Sequence, residues 1–88
     1  MTDQTITITV KLFAFLTKYL PPRATDRSVT LTVPRASTPA DLIRQLKLPE
    51  KHCHLVLVNG VYIPPSQRDA EPLPPDAVLA VWPQVAGG

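Results

Sequence analysis

A small α+β domain, with a mixed sheet of four to five strands and one main helix packed on a single face, is predicted by three observations. Two stretches alternate strictly between apolar and polar residues, an Asn-Gly pair separates two β-rich runs, and one segment joins a helix-start signal to an apolar stripe. The first strand is residues 5–13, TITITVKLF. Ile6, Ile8, Val10 and Leu12 take one face, and Thr5, Thr7, Thr9, Lys11 and Phe13 take the other. The same parity puts Phe13 on the solvent side, where a large ring has no core to fill. Ala14 to Leu20 carries apolar residues at roughly helical spacing before Pro21, which predicts one or two helical turns. Ser28 to Val33 alternates again and forms the second strand, ending at Pro34.

Ser37 and Thr38 ahead of Pro39 give an N-cap and a first-position proline. Asp41 adds negative charge in the first turn, so a helix starts at Pro39. Leu42, Ile43 and Leu46 share one face of it. In residues 54–63, HLVLVNGVYI, the Asn-Gly pair predicts a tight hairpin, with Val61 and Ile63 opposite Tyr62. Leu55 to Val58 are all apolar, so parity assigns them no face. Ala77 to Trp82 is a buried-type strand after the Pro74-Pro75-Asp76 turn. The first and last strands are the most apolar and are expected side by side at the centre, which makes the layout a β-grasp. The expected division is a domain over 1–82 and a flexible C-terminal tail over 83–88.

At 88 residues, 18% charged and formally +2, the chain has room for one thin core and no deep private active site. Function is therefore expected on a surface or at a terminus. One cysteine makes no internal disulfide, and MTDQTITITV has neither a basic region nor a long apolar run, so a reducing cytoplasm is expected. No apolar run approaches the roughly 20 residues that cross a bilayer, so no membrane partner is expected. The pI near 9.0 arises from lysines and arginines scattered along the chain, which predicts a solvated surface and no nucleic-acid partner. His52-Cys53-His54 is not a metal site by this reading: three consecutive residues of a strand do not converge on one ion, and no other Cys or His exists. A catalytic thiolate at Cys53 would need a positioned base and a cleft, and a cysteine at the entry to a strand is usually inert.

Gly87-Gly88 stands out, because two terminal glycines arise by chance in roughly one chain in 200 and this chain has one other glycine. Without Cβ atoms the pair is thin enough for a narrow partner channel. Its carboxylate, with an ordinary pKa of about 3.3 to 3.7, is ionised at neutral pH and is a poor electrophile until converted to an anhydride.

VKLFAFLTKYLPP, VNGVYI and above all VLAVWPQVAGG resemble the ubiquitin-like sulfur carriers of the MoaD/ThiS type, most closely the small subunit of molybdopterin synthase. The resemblance spans nearly the whole chain. It implies a non-catalytic carrier that binds no cofactor stably. An adenylating enzyme would use ATP to activate Gly88, and a sulfur donor would leave a thiocarboxylate there. A synthase large subunit would then receive that sulfur for a pterin precursor, in the making of the molybdenum or tungsten cofactor. Carriers for thiazole, cysteine or tRNA thiolation share the ending, and a protein modifier conjugated through Gly88 uses the same activation. The resemblance implies reactive roles for Gly88 and Gly87 and partner contacts for Phe13, Tyr62, Trp82, Pro83, Val85 and Ala86. Two departures bear on the partner's identity: Gln84 replaces the usual second proline of the tail, and Pro-Asp-Ala replaces a Gly-Asp turn.

Overall fold

The computed structural model describes residues 4–84. Strands β1 (Thr5–Leu12), β2 (Ser28–Pro34), β3 (Leu55–Val58), β4 (Val61–Tyr62) and β5 (Val78–Trp82) form one sheet in the order β2-β1-β5-β3-β4. β1 and β5 run parallel, and the other neighbours are antiparallel. A hairpin cannot join parallel neighbours, so the chain between β1 and β5 must cross over. Helix α1 (Pro39–Gln45) lies on that crossover.

The inward residues of β1 (Ile6, Ile8, Val10, Leu12), β2 (Val29, Leu31, Val33) and β5 (Leu79, Val81) are buried together with Leu42 and Ile43 of α1. The strands' alternation therefore identifies the covered face. α1 begins with a capping box. The Asp41 amide donates to Thr38 Oγ1 at 3.2 Å, and the Thr38 amide donates to Asp41 Oδ2 at 3.0 Å, so two otherwise orphaned amides are satisfied. At the hairpin, Asn59 and Gly60 have φ of 51° and 84°, the paired positive values that a tight two-residue turn requires. Before β5, Ala77 N–H closes on Pro74 O at 3.2 Å with Asp76 at φ 64°, which resolves the diproline sequence as a turn.

The helical segment after β1 is a 3₁₀ turn, Ala14–Tyr19, anchored by the buried Leu16. Further 3₁₀ turns lie at Glu50–His52 and Pro65–Gln67. They are too short to carry a periodic signal, and the prolines at 49, 64 and 65 account for where they begin. Among the described residues no helix is long and apolar enough to cross a membrane.

Candidate functional site

α1 covers one face of the sheet, and the register determines what the other face offers. Thr9 and Lys11 of β1 align with Val78 and Ala80 of β5, and just past the end of β1 Phe13 meets Trp82. Leu55 pairs with Trp82, and Leu57 pairs with both Ala80 and Tyr62. Two apolar rows result. Phe13, Trp82 and Leu55 form one at the end of β5, while Ala80, Leu57 and Tyr62 form the other.

Phe13 continues the β1 ladder by donating its N–H to Val81 O at 3.2 Å. Its ring stacks on Trp82 with centroids 4.1 Å apart and planes 5° from parallel. The His54 amide bonds Trp82 O at 3.0 Å and fixes that end of β5. Tyr62 is 49% exposed. Towards β2 the surface changes character, because Thr7 opposes Thr32 and Thr9 opposes Thr30 on the outward side. The open face is thus half apolar and half hydroxyl-lined, with the apolar half where the chain leaves β5 for its last residues.

Phe13, Tyr62 and Trp82 lie on this face as their parity predicts. Leu55 and Leu57 belong to it as well and had no parity signal, because an unbroken apolar run hides which residues point outward. Phe15 is a further aromatic at this end, 46% exposed, meeting His52 edge-on at 5.1 Å. Pro83, directly after β5, is buried. Val85, Ala86, Gly87 and Gly88 lie outside the described residues.

Elsewhere the reactive side chains have structural partners. Cys53 is buried, its thiol points at Pro49 O at 3.4 Å, and burial raises its pKa despite the nearby Arg68 charge. A thiol held neutral in this way is a poor nucleophile. Arg68 is 8% exposed and donates to Ile63 O at 3.2 Å, Cys53 O at 2.8 Å and His54 O at 3.3 Å. It thereby ties the Pro65–Gln67 turn to the start of β3. Among the described residues no three His, Cys, Asp or Glu side chains group closely enough to hold a metal ion.

The arrangement offers a surface on which a partner can dock. The solution structure of the Haloferax volcanii HVO 2177 protein superposes with a TM-score of 0.71 at 20% identity, over 100% of this chain and 92% of that one, which shows a shared fold. A search of curated proteins finds no match. The ThiS family model matches residues 10–88, from within β1 to the Gly-Gly ending. The chain therefore belongs to the ThiS family of small ubiquitin-like sulfur carriers.

Proposed function

We propose that this chain carries sulfur on the carbonyl carbon of Gly88 for the assembly of a pterin dithiolene, as the small subunit of a molybdopterin synthase-type complex. The observation that carries the reading is the apolar patch of Phe13, Trp82, Leu55, Leu57 and Tyr62 on the uncovered face, next to the point where the family-matched ending departs from β5. Apolar side chains kept at a surface are best explained by a surface that is covered part of the time. An apolar centre with a polar surround is the usual anatomy of a protein interface.

The chemistry needs two partners in turn. In an activating enzyme, a Gly88 carboxylate oxygen attacks the α-phosphorus of ATP and pyrophosphate leaves. A hydrosulfide ion released by the sulfur donor then attacks the acyl carbon, AMP leaves, and loss of the proton leaves a thiocarboxylate. Val85, Ala86 and the two glycines thread the partner's channel while Phe13, Tyr62 and Trp82 hold the body against its surface. The acceptor subunit uses the same face after the first partner has left. The likeness of VLAVWPQVAGG to the small subunits of molybdopterin synthase is what favours a pterin acceptor over thiazole, cysteine or tRNA thiolation. The test is pyrophosphate release from ATP by the host's adenylating protein. Release that requires this chain and stops on deletion of Gly88 is the expected result. Undiminished release with the deleted chain contradicts the proposal.

A further inference from the structure

We infer that the end of the sheet where β5 finishes is a basic collar that draws in a partner surface rich in carboxylates. The inference rests on the sulfur-carrier reading and adds to it the charge of the activating protein's docking surface.

The placement follows from the hydrogen bonds. Lys11 stands on the open face in register with Ala80. Arg27 is held at the end of β1, where the Leu12 N–H reaches Arg27 O at 3.0 Å. Arg23 lies beside Ser28 and Thr30 at the start of β2. Lys18 belongs to the 3₁₀ turn that follows Phe13, with Nζ 5.5 Å from the Tyr19 ring centroid. Lys51 belongs to the turn whose His52 meets Phe15. Among the described residues, Asp26 next to Arg27 and Glu50 next to Lys51 are the acids adjacent in sequence to these five cations.

The acids gather elsewhere. Asp41 begins α1, and the Asp76 N–H reaches Thr7 O near the start of β1. Asp69 and Glu71 precede Leu73, whose N–H reaches Ser37 O just before α1. Asp41 pairs with Arg44, whereas none of the five collar cations has a carboxylate partner among the described residues. Residues scattered along the chain are thus sorted by the fold into a charged pole at the end of the sheet where β5 finishes.

Unpaired surface lysines act together over a Debye length, about 10 Å at 0.1 M salt. Grouped at the end of the sheet that carries Phe13 and Trp82, they raise the rate of encounter with an acidic surface and align it before the apolar contacts form. A nucleic acid fits less well, because the centre of the site is aromatic and aliphatic and the rest of the open face is lined by neutral threonines.

The experiment is stopped-flow association of the full chain with the adenylating protein of the same host, followed through the single tryptophan, Trp82. Between about 0.05 and 0.5 M NaCl the association rate should fall roughly tenfold or more. Lys51→Glu and Lys18→Glu should each slow association at low salt and weaken its salt dependence, with the dissociation rate nearly unchanged. Arg44→Glu makes the same change in net charge on α1 and should leave the rate within about twofold. An association rate indifferent to salt, equal slowing by Arg44→Glu, or tighter binding to a mixed-sequence DNA duplex than to the adenylating protein overturns the collar. If Gly88 is adenylated but association ignores salt, the collar alone fails. If the adenylating protein neither binds nor activates the chain, both readings fall.

Discussion

The Arg68 guanidinium carries a positive charge into the body of the domain and donates to three backbone carbonyls there. Each of those bonds is charge-assisted, and removing the donor leaves carbonyls with nothing to replace it. Arg68→Ala should therefore cost about 2 to 4 kcal/mol in urea unfolding. Lysine cannot span the three acceptors and should recover only part of the loss. Asp41 gives a pH dependence of known sign. The Thr38 amide is the chief cause of its lowered pKa, with Arg44 contributing. The folded pKa lies below the ordinary 3.8, so this stabilisation is present above that pH and is lost as the pH falls below it. Asp41→Asn should flatten the decline of Tm on the acid side of that value, and an unchanged acid limb would count against the capping assignment.

At the scale of elements, the Asn59-Gly60 turn and the Phe13–Trp82 stack answer to different tests. A Cβ added at Gly60 meets nothing within 4 Å, so Gly60→Ala is opposed by the backbone alone, at φ +84°. It should lower stability by about 1 kcal/mol, read from the denaturation midpoint, without altering partner binding. Phe13→Ala should show the reverse emphasis. It loses about 0.5 to 1.5 kcal/mol of ring stacking, yet weakens association with the activating protein tenfold or more, because the stack holds Trp82, the central aromatic of the patch, in place and such aromatics are typical hot spots. Most elements were legible beforehand for physical reasons. Period-two alternation in β1 and β2 reflects one covered face, and Asn-Gly has few uses other than a tight turn. The 3₁₀ turns left no periodicity, and β4 is only two residues long. Leu55 and Leu57 acquire a face only through the register with Trp82 and Ala80, which depends on long-range pairing.

For the molecule as a whole, one thin core supports everything else. Ile43 is 3% exposed and links α1 to the sheet. Ile43→Asp should abolish the cooperative unfolding transition and the dispersion of the amide spectrum, since a buried unpaired charge exceeds the margin of so small a domain. The aromatic part of the open face and the proposed basic pole lie at the end of the sheet where β5 finishes, and the sequence runs on from there to Gly-Gly. Parity and composition indicated the face and the ending. The pole was invisible, because charge spread through the sequence becomes a pattern only after folding. The measurement that bears most directly on the central claim is the intact mass of the chain isolated from its native host. The account predicts a population in which one oxygen of Gly88 is exchanged for sulfur, lost on alkaline hydrolysis and missing when the activating protein is deleted. Only the plain carboxylate, with pterin cofactor still made at the normal rate in that host, would contradict it.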